Sequence, residues 1–447
     1  MTKSSFADGI ALRADARRNR DSILRTAAQR FAAHGVNTSL DEIAREAGVG
    51  PGTLYRHFPT REHLLCEVLQ KRKEMLLSRR DEVSAMPCAG SGFIGLNPGI
   101  HSAATAHIPA LKALAKEFVV AGVANTSLAS ARTAADAFGL AHAFENAQAL
   151  VSSPEIDLVV VTVKVPHHRE LVAAALNAGK HVYCEWPLGN GLAQARELAD
   201  LAEEKGRVAA IGTQMRVAPE VEYLRQLIAD GYVGEVLSTT LVGGGGEWSG
   251  ETDAAHAYLY DKSNGATLLS ILLGHTLAGM REVLGGFGDL SARMINRRTT
   301  MYVTDTGETI PATSHDQILV HGALESGAAV SIHYRGGMSR GTNLLWEING
   351  TEGDIQVTGA NGHGQIVQLS IHGGNGDASG LALLTPPASF YEGWPNNSVA
   401  RNVARLYALV AKDIRSGIRS APSFRDAVAL HETIDGIERS AARNELQ

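Results

Sequence analysis

The sequence is poor in cysteine and has no long apolar run. Its 447 residues include three cysteines, Cys66, Cys88 and Cys184, which lie far apart and form no Cys-x-x-Cys pair. This spacing argues against a cysteine-based zinc site and against a disulfide framework. No segment offers the run of about 18 apolar residues that a membrane helix needs, and the N-terminus has no apolar signal core. We therefore expect a soluble, cytoplasmic protein without a bound metal.

The length of the chain and the distribution of its charges predict several domains with different partners. A typical domain has about 150 residues, so two or three are expected. The formal net charge is −6. Residues 1–85 carry 15 lysines and arginines against 11 aspartates and glutamates, whereas the remainder carries 26 against 36. A basic head on an acidic body is typical of a nucleic-acid-binding module joined to a module for small molecules.

The head has the pattern of short helices with a tight turn between the second and the third. Apolar residues recur at helical spacing in its first segment, which ends at Gly35. Ser39 and Glu42 form the sequence pattern of a capping box for the second helix. The predicted turn is Gly48-Val49-Gly50, and Pro51 suits the start of the next helix because it lacks an N–H. The predicted helices are Arg17–His34, Leu40–Ala47, Pro51–Phe58 and Arg61–Arg80.

Helix, glycine-containing turn and helix form the pattern of a helix-turn-helix, whose second helix enters the major groove of DNA. The run TSLDEIAREAGVGPGTLYRHFPTREHLL resembles the DNA-binding domain of the TetR family. The alternative is an amphipathic helical unit with no role on DNA. The resemblance implies base-edge or phosphate contacts from Pro51, Gly52, Thr53 and Tyr55, phosphate contacts from Thr38, Tyr55, His57 and Arg61, and a core of Leu40, Ile43, Ala44, Val49, Leu54 and Phe58.

A second module follows the head after a short link over Asp81–Ser91, in place of the all-helical domain that is usual in the TetR family. Met86 in this link offers a start for a shorter product. Strand and helix patterns then alternate, which favours a parallel, doubly wound sheet with ligands at the carboxyl ends of its strands. The predicted strands are Gly92–Asn97, Phe118–Ala124, Leu158–Val163, His181–Cys184 and Val208–Gly212, and the predicted helices are His101–Glu117, Glu170–Ala178 and Leu192–Lys205.

The glycine fingerprint for a dinucleotide is incomplete in this module. Gly95 and Gly99 are present, but Asn97 and Ile100 stand where G-x-G-x-x-G requires the other two glycines. After the second strand, Asn125 replaces the acidic residue that would bond a ribose 2′-hydroxyl, which removes the repulsion of a 2′-phosphate. A bound cofactor is therefore expected to be NADP rather than NAD. The alternative is a pocket that binds no nucleotide. Possible phosphate contacts are Thr126, Ser127 and Arg132.

Longer runs identify the module as a relative of the Gfo/Idh/MocA oxidoreductases. The stretches HIPALKAL, IDLVVVTVKVPHHRELVAAALNAGKHVYCEWPLG and LIADGYVGEV are similar to that family. GFIGLN, EWPL, GGGGEW and NGATLLSILLGHT look like the branch that contains the fungal galactose-regulon repressor, a regulator built on this fold. The resemblance implies cofactor-side positions at Gly95, Asn97, Gly99, Asn125, Thr126, Lys164, His168 and Glu185.

Both catalytic positions that the resemblance implies are altered. Enzymes of the family have a lysine in an E-K-P motif, where its ammonium donates to the substrate oxygen and exchanges protons. This chain has Trp186 at that position, and an indole N–H is a donor only. The family also has an aspartate four residues before a histidine. Here His275 is kept but Ile271 precedes it, so lysine-assisted hydride transfer is not expected. His275 remains the catalytic candidate, with Lys164 a substitute donor.

The C-terminal half has the pattern of a mostly antiparallel sheet followed by two helices. In the resembled family, one face of this sheet builds a dimer and the other closes over a sugar pocket. A flexible loop over Gly243–Gly246 leads to the aromatic pocket candidates. These are Trp186, Trp248, Tyr258 and His275, with His256, Tyr260, Tyr334 and Arg335 less specific. The predicted strands are Val236–Val242, Leu290–Val303, Gln317–Leu324, Ala328–Arg335, Asn343–Ile348, Asp354–Thr358 and Ile366–His372, and the predicted helices are Ser398–Gly417 and Phe424–Asn444.

The sequence thus predicts three domains: an all-α helix-turn-helix head (1–85), a Rossmann-like α/β domain (86–232) and an α+β substrate and dimerisation domain (233–447). The favoured function is a transcriptional regulator that binds double-stranded DNA. Its body would sense a nucleotide and a sugar or polyol, and a homodimer would bind a palindromic operator. One alternative is an NADP-dependent sugar or polyol oxidoreductase with an accessory head. Another is a sensor that acts by binding a second protein.

Overall fold

A computed structural model describes residues 19–31, 35, 38–71, 88–99 and 102–445. The chain divides into two compact units, Met1–Met86 and Pro87–Gln447, each considered by itself below. No helix in these described ranges is long and apolar enough to cross a membrane. Several predicted features lie outside the described residues: both ends of the first helix, Arg72–Arg80, the link around Met86, and Ile100 with His101.

The first unit is a small helical bundle around one apolar core. Gly48, with a φ of +71°, turns the chain between the two helices of the predicted helix-turn-helix. The predicted core is confirmed, except that Val49 is only partly buried. The helices are α1 (residues 19–31), α2 (Leu40–Glu46), α3 (Pro51–His57) and α4 (residues 61–71).

The predicted capping box at the start of α2 is not formed. The side chain of Ser39 makes no cap hydrogen bond. Glu42, which would complete the box, lies 3.8 Å from Arg30 on α1. An inter-helix ion pair therefore takes the place of the local cap.

Six parallel strands form the first sheet of the second unit, in the order β3-β2-β1-β4-β5-β6. This order confirms the predicted doubly wound architecture. The strands are β1 (Ala89–Ile94), β2 (Phe118–Ala124), β3 (His142–Phe144), β4 (Leu158–Val161), β5 (His181–Glu185) and β6 (Ala209–Gly212). The helices are α5 (Ile108–Ala113), α6 (Leu128–Phe138), α7 (Ala147–Ser152), α8 (His168–Asn177), α9 (Leu192–Lys205) and α10 (Pro219–Ala229).

The helix predicted over His101–Glu117 is shorter and less regular than expected. A π-helical turn, Ala103–His107, leads into α5, which ends at Ala113. Pro109 has no N–H with which to continue an α-helical ladder from the preceding turn. The irregular turn is relevant to the site because it carries His107.

The second sheet has eight strands in the order β17-β16-β15-β14-β7-β13-β12-β9, and β7 and β13 are its parallel pair. A separate three-stranded sheet has the order β11-β10-β8. The strands are β7 (Val236–Gly245), β8 (Glu251–Thr252), β9 (Phe287–Ile295), β10 (Thr300–Val303), β11 (Glu308–Pro311), β12 (Gln317–Leu324), β13 (Ala329–Gly336), β14 (Leu344–Gly350), β15 (Gly353–Gly359), β16 (Ser370–Asn375) and β17 (Ala382–Leu384).

Two predictions for this half were wrong. The single strand expected over Leu290–Val303 is two strands, β9 and β10, which belong to different sheets. The flexible loop expected at Gly243–Gly246 is mostly the end of β7. Glycine is needed there for packing, because a Cβ on Gly243 would lie 2.1 Å from Cζ of Tyr334.

Three further helices join the two sheets into one body: α11 (Gly274–Leu284), α12 (Ser398–Ser416) and α13 (Phe424–Glu445). Helix α12 packs against α5, and α13 packs against both α9 and β9. The predicted boundary near residue 232 falls between the sheets, and one apolar cluster continues across it, from Val161 through Trp186 to Ile355. Residues far apart in sequence can therefore build one site between the sheets.

Candidate functional site

The exposed side of α3 carries most of the residues that the sequence assigned to DNA. Pro51 and Gly52 are exposed, Tyr55 is 45% exposed, and Thr53 and His57 are partly buried. The first turn of α3 has no acidic residue, and its last turn is basic. The helix therefore presents hydroxyl and aromatic groups without negative charge, which suits contacts with phosphates and base edges.

Thr38 and Arg61 lie together beside this helix, but both make bonds within the head. The Thr38 hydroxyl donates to the Gly35 carbonyl at 2.9 Å, and Nη1 of Arg61 donates to the Thr38 carbonyl at 2.5 Å. These bonds fix the chain that leads into α2. A phosphate contact from Thr38 would require its hydroxyl to turn away from Gly35.

The tight turn predicted at Gly95 is present at the end of β1. Gly95 has a φ of +100°, and a Cβ there would lie 2.6 Å from Cγ1 of Val163. Only glycine fits this conformation and this space. Asn97 and Gly99 follow it as exposed residues. The turn thus keeps the shape of a nucleotide-binding loop although its glycine spacing is degenerate.

Asn125, at the end of β2, has an acceptor atom with no partner. Its Nδ2 donates to the Leu96 carbonyl at 2.8 Å and to the Ser130 hydroxyl at 3.2 Å. Its Oδ1 is buried and accepts no hydrogen bond. In doubly wound folds this position bonds a ribose hydroxyl, so the free acceptor fits a dinucleotide.

Trp186 occupies the position of the family lysine and is enclosed in the wall of the site. The side chain is 4% exposed, and its indole N–H donates to the Ser270 carbonyl at 2.6 Å. A Cβ on Gly274 would lie 2.8 Å from Nε1, so glycine is required beside the ring. Its single donor is therefore already used, and the role in the substrate pocket assigned to Trp186 from the sequence stays a prediction.

Glu185 is held in a buried hydrogen-bond network. Oε1 of Glu185 lies 2.9 Å from Nε2 of His107, whose Nδ1 lies 2.8 Å from the Tyr407 hydroxyl. Nε2 of Gln214 donates to both carboxylate oxygens, at 2.7 and 3.0 Å, and contacts the Tyr183 hydroxyl at 3.1 Å. Burial raises the pKa of Glu185, but the hydrogen bonds from His107 and Gln214 outweigh this effect and the pKa is lowered.

Sequence reasoning did not single out four members of this network: His107, Tyr183, Gln214 and Tyr407. His107 belongs to the HIPALKAL run, and its place in an otherwise apolar segment was the available signal. No local pattern singled out Gln214 or Tyr407. Tyr407 lies 300 residues from His107 in the chain, so its contact with His107 could not be read from neighbouring residues. Packing of α12 against α5 brings them together.

His275 is buried with one ring nitrogen unpartnered. It follows a π-helical turn, Leu268–Leu273, and is 5% exposed, with Nδ1 making no hydrogen bond. Burial lowers its pKa to about 3; Glu185 opposes this shift and His363 adds to it. The imidazole is therefore neutral near pH 7. Ile271 supplies no carboxylate to orient it.

His168 and Lys164 are both engaged with other parts of the protein. The two ring nitrogens of His168 lie 2.7 Å from the Pro187 carbonyl and 2.9 Å from the Val163 carbonyl. Burial lowers the pKa of His168, so the ring is neutral and its single N–H donates to only one of these two carbonyls. The ring is 1% exposed between two backbone segments, and its cofactor-side role stays a prediction. Nζ of Lys164 lies 4.3 Å from the ring centre of Tyr258, a cation–π contact between the two halves of the body.

The aromatic pocket candidates divide into core and surface. Trp248 is 1% exposed, and its indole donates to the Leu259 carbonyl at 3.1 Å, so it is a core residue rather than a sugar platform. Tyr260 and Tyr334 are also buried, whereas Tyr258 is partly exposed and His256 is exposed.

Glu247 has a histidine beside its carboxylate. Its Oε2 lies 3.5 Å from Nε2 of His363, and this contact lowers the pKa of Glu247 against the opposing effect of burial. In the described part of the chain, no cluster of histidine, cysteine or carboxylate groups could hold a metal ion.

The lowered pKa values of two buried histidines predict that the free energy of unfolding decreases in acid. Burial lowers the pKa of His275 to about 3 and that of His431 to about 4, against about 6.5 in an unfolded chain. Between these values the unfolded chain binds more protons than the folded one. The free energy of unfolding should therefore decrease as the pH falls below about 6.5, and these groups should add no pH dependence above it.

Urea unfolding at several pH values on both sides of this point measures the effect. All four tryptophans lie in the second unit, so their fluorescence reports on that unit alone. His275→Gln should have a shallower loss of stability in acid, and the exposed His167→Gln should behave as the parent. If the free energy of unfolding depended on pH equally in the parent and in both variants, the assignment of this effect to His275 would be contradicted.

Three family profiles match the chain. Residues 23–68 match "Bacterial regulatory proteins, tetR family", residues 90–213 match "Oxidoreductase family, NAD-binding Rossmann fold" (Gfo/Idh/MocA), and residues 219–359 match "Gal80p, C-terminal domain". The chain is 33% identical to Dehydrogenase aclE of Aspergillus oryzae over 263 residues, which are 55% of this chain and 69% of that protein. The chain belongs to the Gfo/Idh/MocA family and carries a TetR-type domain before it.

Within that family, the chain is similar over most of its length to fungal regulators. It is 28% identical over 441 residues to the galactose/lactose metabolism regulatory protein GAL80 of Kluyveromyces lactis, covering 81% of this chain and 96% of that protein. The crystal structure of the transcriptional regulator Gal80p from the same yeast superposes with a TM-score of 0.71 at 28% identity, covering 81% of this chain and 94% of that one. The predicted family branch and fold are confirmed.

Proposed function

We propose that this protein is a DNA-binding transcriptional regulator whose body senses a dinucleotide and a sugar or polyol. The main support for the proposal is the residue at position 186. The family's enzymes have a lysine there, whereas this chain has Trp186, a buried indole whose N–H donates a hydrogen bond to the Ser270 carbonyl. The exposed face of α3, with Tyr55 at its centre, supports the DNA-binding half of the proposal. The similarity to a yeast regulator supports the same class, and we place its action in the cytoplasm.

The residues present fit a dinucleotide at the carboxyl edge of the first sheet. Gly95 allows the tight turn, Asn97, Gly99 and Thr126 are exposed around it, and Asn125 offers its free Oδ1. An unpartnered acceptor suits a ribose hydroxyl better than a phosphate, so this observation favours NAD over the NADP that the sequence suggested. Bound there, the cofactor would supply a redox-active nicotinamide, but the chain offers no lysine beside Glu185 for proton transfer.

The second sheet supports the proposal of a homodimer. Along β12, Ile318 and Val320 are buried, whereas Leu319 and His321, which alternate with them, are exposed. One face of the sheet is therefore packed and the other is available to a second copy. A two-fold dimer would present two heads to a palindromic operator.

DNA binding by α3 can be tested with matched variants of the full chain. Fluorescence anisotropy with DNA from upstream of its own gene should show selective binding that weakens with salt. Tyr55→Ala should weaken this binding about tenfold, the loss typical of one well-placed contact. Gln29→Ala changes an exposed residue of α1 and should bind as the parent does. Non-selective binding, or equal affinity of Tyr55→Ala and the parent, would overturn the proposal.

A sugar or polyol oxidoreductase is the second candidate. The retained His275, with its unpartnered Nδ1, and the partly exposed Tyr258 favour it. The similarity to a dehydrogenase also supports this class. Its test is reduction of NAD or NADP by the purified chain with a panel of sugars and polyols, and turnover with any of them would favour it over the first candidate.

A further inference from the structure

A cavity of about 550 Å³ lies in the second unit, close to Trp186. Its wall includes Ser270, whose carbonyl accepts the indole N–H, and His431, whose ring centre lies 4.7 Å from that of Trp186. None of the cofactor-side candidates lines it. The cavity is therefore distinct from the candidate site but shares Trp186 as a neighbour.

The floor of this cavity is apolar and its rim is polar. Leu269, Met294, Ile318 and Ile434 line it, and each is at most 8% exposed. Asn190 and other polar side chains stand around them. Binding sites for small molecules have this composition, in which apolar surface provides affinity and a few polar groups provide orientation.

Two opposite charges stand at the rim without forming an ion pair. Lys262 and Glu438 both line the cavity and are exposed, and neither side chain makes a hydrogen bond or salt bridge with any part of the chain that the structure describes. Partial burial and the nearby Asp435 raise the pKa of Glu438, and the positive charge of Lys262 opposes this shift. Two unpaired charges of opposite sign beside one apolar floor are complementary to a molecule that carries both charges itself.

We propose that this cavity binds a small zwitterion with an apolar body, of which an apolar α-amino acid is the simplest example. Lys262 binds its carboxylate, Glu438 binds its ammonium, and the apolar floor receives its side chain. Because Ser270 and His431 contact both the cavity and Trp186, the occupant also alters the surroundings of the indole. The site is an effector site, separate from those for dinucleotide and sugar.

Calorimetry on the full chain with leucine, isoleucine, methionine and phenylalanine tests the proposal. We expect saturable binding of at least one of them, and an uncharged polyol should not compete with it for this cavity. Lys262→Ala and Glu438→Gln should each weaken binding about tenfold or more, as expected for a lost charge-assisted hydrogen bond. Glu432→Gln is the control, since Glu432 lies on the same helix, pairs with Arg196 and does not line the cavity.

Two further measurements separate this site from any other. Ala442→Leu adds volume at an exposed lining position and should weaken binding without loss of folding. Binding should change tryptophan fluorescence in the parent but not in Trp186→Phe. Absence of binding by every amino acid, or unchanged affinity in Lys262→Ala and Glu438→Gln, would overturn the proposal. The assay contains no DNA, so its outcome is independent of the regulator hypothesis.

Discussion

Replacing His107 with alanine should lower the free energy of unfolding of the second unit by about 3 kcal/mol or more. Nε2 of His107 lies 2.9 Å from the Glu185 carboxylate and its Nδ1 lies 2.8 Å from the Tyr407 hydroxyl, so both ring nitrogens are in use. A neutral imidazole with its proton on Nε2 satisfies both contacts. Alanine would leave a carboxylate and a buried hydroxyl without this partner, and would also leave a cavity, because His107 is 1% exposed.

Tyr407→Phe provides the matched comparison. It removes the hydroxyl that bonds His107 and keeps the ring, which stacks on Tyr183 with ring centres 4.7 Å apart. A loss of about 1 kcal/mol is expected for one neutral hydrogen bond. Urea unfolding followed by tryptophan fluorescence measures both variants. Equal effects of the two substitutions would show that the contact between His107 and Glu185 adds no stability.

Replacing Trp186 with alanine should lower the free energy of unfolding of the same unit by about 3–5 kcal/mol, the range for truncating a buried tryptophan. The ring fills the space between Gly274 and His431, and its N–H bonds the Ser270 carbonyl. Trp186→Phe should cost less, because it keeps most of the apolar contact and loses only the hydrogen bond and part of the ring.

The measurement is urea unfolding followed by the three remaining tryptophans. Trp186→Lys adds a functional comparison, since it restores the family's residue beside Glu185. If the parent shows no turnover with polyols and Trp186→Lys shows some, the missing lysine accounts for the lost activity. A stability loss below about 1 kcal/mol for Trp186→Ala would contradict the enclosed position of the ring.

The helix-turn-helix head was predictable from local sequence. The apolar spacing around Leu40, Ile43 and Leu54 and the turn at Gly48 are properties of neighbouring residues, and the structure confirms them. The alternation of strand and helix in the first sheet was predictable for the same reason. The capping box at Ser39 was not, because an ion pair from another helix to Glu42 replaces it.

The residues of the candidate site were predicted less well. The sequence indicated Trp186 and Ile271 as departures from the family, but not that the indole is bonded to Ser270. It proposed Trp248 and His168 as binding residues, whereas packing buries both side chains and places the His168 ring between two backbone carbonyls. Burial and partners of a side chain depend on distant segments, which local patterns do not report.

The sequence alone therefore determined the order of the modules, the pattern of the helix-turn-helix and the presence of Trp186 between Glu185 and Pro187, where the family's E-K-P motif has a lysine. Each of these follows from the identity and spacing of residues that are close in the chain. The tertiary structure decided how Glu185 is paired, that Trp186 is enclosed, and that a cavity with Lys262 and Glu438 lies near it. These features depend on α12 and α13 returning to pack against the earlier elements, over separations that no sequence pattern spans.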